Sequence, residues 1–376
     1  SMIIEQININ NIQIDGKSYI SGFIGRTVAG NFTDITAENI NTNGALYVGG
    51  IFGYVISRED TEIKNITLNN SNIIGSGDRV GGLVGSTDGR FNCIIWFSNI
   101  NMTGNTISGK QCVGGVAGYL RYCRHIISQD NNISGAEYVG GIAGQAFTAY
   151  DIEITKMNIQ STGNYTGGLF GLEYSTGHVY NACVKDSEII STGDNVGGIV
   201  GYNNRVLNDV YVENSNIVGR DNVGGIIGTN NFRISRSYAY NCQISGNNNI
   251  GGIVGNLQSD RINYTYNNSR IIGNNNIGGI VGYFPNTSVT ATYNYTSITQ
   301  NYVSVYMEGN SNIGGLFGKI DVELYNPNGS FKNNYFETYI TTQDENTASP
   351  GVGSRKIENA NFANTYVYKY GSINNK

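Results

Sequence analysis

The chain has 376 residues, 39% hydrophobic, 11% aromatic and 14% charged, with a net charge of −5. That much Ile, Val and Tyr excludes a disordered chain and favours strands over helices. No basic stripe marks a nucleic-acid partner, and no apolar run approaches the roughly 18 residues needed to insert in a membrane.

Ser1-Met2 reads as a remnant ahead of an internal piece, so the chain is expected to be part of a longer protein. It starts mid-pattern, with the alternating run ININNIQI at 7–14. Period-2 alternation bounded by Gly and Asn predicts short strands joined by turns, and nothing repeats at the helical period.

From residue 20 a glycine motif returns eleven times: ISGFIG at 20–25, VGGIFG at 48–53, VGGLVG at 80–85, VGGVAG at 113–118, VGGIAG at 139–144, TGGLFG at 166–171, VGGIVG at 196–201, VGGIIG at 223–228, IGGIVG at 250–255 and 277–282, and IGGLFG at 313–318. The base spacing is 27 residues, with insertions in the longer intervals. An Ile usually precedes the motif by six residues: Ile14, Ile74, Ile107, Ile133, Ile190, Ile217, Ile244 and Ile271, with Met307 in the last copy. The position just before the motif holds Tyr19, Tyr47, Tyr138 and Tyr165 early, then Asn195, Asn222, Asn249, Asn276 and Asn312 in succession. Asn tolerates the left-handed backbone of tight corners, and stacked Asn side chains hydrogen-bond from layer to layer. Those five residues are therefore read as a structural ladder. Gly197 and Gly198 mark a bend or a close backbone approach.

A 27-residue unit holds about three strands of five residues with their turns. Stacking such units about 4.8 Å apart gives an all-β fold: a single-stranded, right-handed parallel β-helix solenoid of about eleven rungs. Residues 1–318 form the repeats. Residues 319–376, which lack the motif, are expected to be a C-terminal capping segment packed on the last rung.

VGGIVG preceded by an Asn- and Ile-rich strand resembles the GLUG-motif repeats of large secreted and surface-anchored bacterial proteins. The likeness covers about residues 4–318. NNYFET at 333–338 and SPGVGSRKIENANF at 349–362 are similar to the segment that closes the coil in such proteins. The Trp often found near that end is absent here, and Tyr366, Tyr368 and Tyr370 stand instead. These repeats occur in adhesin-like proteins and in the non-catalytic region of IgA-cleaving metallopeptidases. The resemblance implies an extracellular or bacterial cell-surface location and a role in host interaction or virulence.

The glycine motif is no phosphate loop, because GGLFGKI at 314–320 lacks both the glycine spacing and the hydroxyl of one. Cys93, Cys112, Cys123, Cys183 and Cys242 have no CxxC spacing, and His125 and His178 are isolated, so no metal and no cofactor is expected. The acids of SREDTE at 57–62 read as a solvated loop. Asp194 and Asp221, two residues before neighbouring motifs, form a candidate acidic pair that could hold calcium or act on a glycosidic bond; the competing reading is two turn carboxylates. The scattered basic residues, Arg124, Arg220 and Arg236 among them, form no column with acids.

Tyrosine is the most suggestive feature. Tyr211 and Tyr238 share a phase, Tyr264, Tyr266, Tyr293 and Tyr295 continue a Tyr-rich strand face, and Tyr202 follows a motif copy. A Tyr row offers flat apolar faces and hydroxyls for a host glycan or an extracellular protein; it could equally be packing between neighbouring strands. The leading expectation is a monomeric, non-catalytic module acting in adhesion or as a stalk. The alternatives are a substrate-positioning domain of a secreted IgA-type metalloprotease, with catalysis outside this chain, or a polysaccharide-active β-helix enzyme using Asp194 and Asp221.

Overall fold

A computed structural model describes residues 3–28, 30–89, 93–173, 177–258, 261–285, 297–321, 331–342, 348–349, 351–355 and 366–375. Among them every regular element is a strand, and no helix is long and apolar enough to cross a membrane. The strands are parallel and coil into a right-handed β-helix. The chain divides into two compact units, Ser1–Ile189 and Ile190–Lys376.

In the first unit the long strands Ile3–Asp15, Asn31–Gly44, Thr61–Asn69, Ile95–Thr103, Ala117–Gln129, Ala143–Thr155 and His178–Lys185 pair in that order. Alternation puts every second side chain inside. Ile35, Ile66, Ile100, Ile126 and Ile152 therefore stack one per coil, in register and buried. Burying each such side chain is worth about 1.5–3 kcal/mol, which explains why the repeat conserves shape at this phase along the chain.

In the second unit Val206–Glu213, Ile234–Ser245, Arg261–Ile272, Tyr302–Gly309 and Tyr335–Thr342 pair in the same way. The motif strands form their own ladder, so Val196, Val223, Ile250, Ile277 and Ile313 stack fully buried. Segments of the tail extend these ladders. Ala348–Ser349 pairs with Ile313 and Gly314, Val352–Arg355 pairs with Phe317–Ile320, and Tyr366–Asn375 pairs with Tyr335–Thr342. Ser349 and Val352 thus occupy the phase of Gly314 and Phe317 in a further motif copy.

The residue before the motif has a positive φ in all eleven copies, from Cys112 at 51° to Tyr165 at 65°. The motif glycines do not. Their constraint is space: a Cβ on Gly225 would lie 2.2 Å from the Gly252 carbonyl oxygen, and one on Gly198 would lie 2.2 Å from that of Gly225. Close backbone approach between coils, not a special backbone angle, makes these positions glycine.

Two phase assignments, Ile74 and Ile190, need correction. Ile74 is 39% exposed, and Ile73 is the buried residue, paired with Ile107. Likewise Ile189 is fully buried. The turns before Val80 and Val196 are one residue longer than the turn before Val113, so counting back six residues lands one position late.

Candidate functional site

The five asparagines of the ladder join end to end. Asn222 Nδ2 donates to Asn195 Oδ1 at 3.2 Å, and Asn249, Asn276 and Asn312 each donate to the preceding Asn at 2.8 Å. Two more ladders run beside it. Asn248 donates to Asp221, Asn275 to Asn248 and Ser311 to Asn275, at 2.6–2.9 Å. Asn274 donates to Asn247, and Asn310 to Asn274. These side chains are spent on the coil's own corner.

The same holds for the candidate acidic pair. Arg220 binds both oxygens of Asp194 at 2.7 Å, and the Asp221 N–H donates to Asp194 Oδ1 at 3.2 Å. Asp221 Oδ1 accepts the Asn248 N–H and its side-chain amide, both at 2.9 Å. The hydrogen bond and charge of Asp194 raise the Arg220 guanidinium above its ordinary value. Among the described residues no group of three or more His, Cys, Asp or Glu converges as a metal ligand set.

Basic residues do meet acids of other coils, against the expectation from spacing. Arg236 binds Asp209 through two nitrogens at 2.7 and 2.8 Å, Arg270 approaches Glu308 at 3.4 Å, and Arg124 reaches Glu62 at 2.9 Å. Insertions hide the Arg270–Glu308 and Arg124–Glu62 pairs from a fixed-period count, whereas Arg236 and Asp209 stand one base spacing of 27 residues apart and were open to it. Glu62 is also not in a loop, because it lies on the Thr61–Asn69 strand.

The tyrosines converge in the second unit. Register places Tyr211, Tyr238, Tyr266, Tyr302 and Tyr335 in one column across five strands. Tyr211 and Tyr238 stack at 4.8 Å and 6°, and Tyr266 and Tyr302 at 5.5 Å and 23°. Between these two stacked steps Tyr238 and Tyr266 are tilted, at 6.5 Å and 59°; at the stacked steps ring faces turn toward one another and leave edges and hydroxyls outward. This departs from the flat apolar faces expected from sequence. The Tyr238 hydroxyl donates to Glu213 at 2.8 Å. Tyr240, Tyr264, Tyr306 and Tyr339 stand exposed on these same strands. Tyr264 holds a left-handed corner at φ 57°.

Tyr202 is not part of this column. It pairs with Thr229 on a different sheet row, and its hydroxyl accepts from Asn231 at 2.7 Å. Tyr293 and Tyr295 lie outside the described residues. Sequence reasoning missed Tyr302 and Tyr335. Tyr302 lies 36 residues after Tyr266, which equals the spacing between the motifs at 277 and 313, so the long interval itself carried the signal.

Aromatic residues of the first unit form separate groups. Tyr19 stacks on Tyr47 at 5.0 Å and Tyr138 on Tyr165 at 5.1 Å, where the second unit has its Asn ladder. Trp96, the single Trp of the chain, is half-buried beside Tyr122 at 5.4 Å and Tyr150 at 6.2 Å.

Comparison of the chain with protein-family models, curated proteins and solved structures finds no match in any of the three.

Proposed function

We propose that this chain is a non-catalytic β-helix module of a larger secreted or surface-anchored bacterial protein. Its tyrosine face, on strands between 206 and 342, holds a host glycan or an extracellular protein. The carrying observation is the in-register column Tyr211–Tyr238–Tyr266–Tyr302–Tyr335. Apolar rings with hydroxyls at their outer edges suit a partner that is part apolar and part hydrogen-bonding. The likeness to GLUG-motif repeats supports the bacterial surface setting. Binding is favoured over hydrolysis at Asp194 and Asp221 because Arg220 and Asn248 already occupy those carboxylates.

A glycan array and a panel of purified extracellular-matrix proteins test this reading. Saturable binding to a member of either is expected. Silence on both would leave the chain a spacer.

A further inference from the structure

A second surface, in the first unit, has different chemistry from the tyrosine column. Register aligns Glu62, Trp96, Tyr122 and Thr148 in one column. Lys64, Ser98, Arg124, Tyr150 and Tyr180 align in the next, two residues along each strand and on the same face. The Trp96 ring lies at 45° to Tyr122 and 35° to Tyr150. Trp96 is thus tilted against both neighbours, while Tyr150 stacks on Tyr180 at 5.8 Å and 3°.

Over the indole sits a fixed polar group. Arg124 places its guanidinium 5.0 Å from the Trp96 ring centre and donates to Glu62 Oε1 at 2.9 Å. Ser98 donates to the same oxygen at 2.8 Å. Lys64 approaches the other oxygen at 3.6 Å. Glu62 and Arg124 stay 33% and 42% exposed, so both remain reachable from water.

We propose that Trp96, Tyr122 and Tyr150, with Arg124 over the indole and Glu62 and Ser98 bonded or paired alongside, form a saccharide-binding site for a neutral sugar bearing vicinal hydroxyls. An aromatic surface takes the apolar face of a pyranose ring. A guanidinium and a carboxylate side by side offer a donor fork and an acceptor, and each hydroxyl of a diol both donates and accepts. Hydrogen bonding decides between sugar classes. Arg124 and Lys64 are both held on Glu62, and a neutral diol hydroxyl can donate to that carboxylate where the carboxylate of an acidic sugar cannot. Size decides between a sugar and a protein. Three rings and three polar groups match a small-ligand site, whereas a stable protein interface takes about 20–30 residues from each side. This site is separate from the tyrosine column and does not depend on it.

The single Trp makes the test direct, since indole emission reports on this position alone. The probes are galactose-, mannose- and N-acetylglucosamine-terminated trisaccharides, with a sialylated trisaccharide as the acidic counterpart. At least one neutral probe is expected to change Trp96 emission saturably. Glu62→Gln and Arg124→Lys are expected to weaken that titration by about tenfold with unchanged far-UV circular dichroism. Trp96→Ala is expected to abolish binding of the same probe on an array, and Phe232→Ala, an exposed aromatic outside both surfaces, to leave it intact. No emission change with any neutral probe, a response to the acidic probe alone, or native affinity in both rim variants would overturn the proposal.

Discussion

The side-chain amide of Asn276 donates to the oxygen of Asn249 across 2.8 Å, and both residues hold a left-handed backbone, at φ 57° and 60°. Asn249 in turn donates to Asn222 at 2.8 Å. One side chain therefore does two jobs: it tolerates the corner and it ties three coils together. The two can be separated by substitution. Asn249→Gly keeps the corner and loses two hydrogen bonds, at a cost of about 2 kcal/mol. Asn249→Ala loses both, at about 3 kcal/mol. Chemical denaturation followed by circular dichroism reads the difference. Equal losses in the two variants would mean that the corner carries no backbone strain.

Gly225 makes a sterically harder demand. An added Cβ would meet backbone of the next coil at 2.2 Å, and backbone cannot swing aside as a side chain can. Gly225→Ala is expected to destabilise the fold by about 3 kcal/mol. Gly351 provides the control, because among the described residues a Cβ there meets nothing closer than Phe336 at 3.5 Å. Gly351→Ala is expected to change stability by less than about 0.5 kcal/mol. Similar midpoints for the two variants would contradict the close-approach account.

The Arg236–Asp209 pair gives a pH dependence of known sign. The hydrogen bond from Arg236, opposed by burial and aided by its charge, holds the Asp209 carboxyl below its ordinary value. A depressed carboxyl adds stability above the unfolded value of about 4, and that stability is lost as pH falls further. Both partners are about half exposed, so the gain is small, about 0.5 kcal/mol. Arg236→Gln is expected to be slightly less stable than the native chain at neutral pH and equal to it in acid. Thermal melts across pH check this, and an advantage that grew in acid would contradict it.

Thiol reactivity separates the five cysteines. Burial pushes the Cys112 thiol up to about 12 and Cys242 to about 11, and raises Cys123 as well. Cys183 is also buried, while Cys93 is half-buried. Thiolate, not thiol, reacts. Ellman's reagent at neutral pH is therefore expected to titrate one thiol quickly in the folded chain and five after unfolding. Two or more fast thiols would contradict the burial described.

The coil was legible because Val and Ile return in phase with a glycine motif, and stacking demands the same residue type at the same point of every turn. Details failed wherever an insertion moved the phase. A fixed step of 27 residues from Tyr266 reaches Tyr293, but the register partner is Tyr302, because the extra residues of that interval come before the strand and not after it. Ile74 was misread for Ile73 through a turn one residue longer. In the tail, Ser349 stands where a glycine stands elsewhere, which concealed the pairing of Ala348–Ser349 with Ile313 and Gly314. The group around Trp96 had no local signature at all. Arg124 meets Glu62 across 62 residues and two coils, and only the register brings them together.

The central claim is that the tyrosine column of the second unit is a binding face, not a covering of the coil. The most direct measurement compares the native chain with a Tyr266→Ala, Tyr302→Ala and Tyr335→Ala triple variant on the glycan array and matrix-protein panel, with far-UV circular dichroism as the control for folding. The account expects the variant to keep its strand spectrum and lose the native chain's binding. A folded variant that binds every ligand as the native chain does would contradict it.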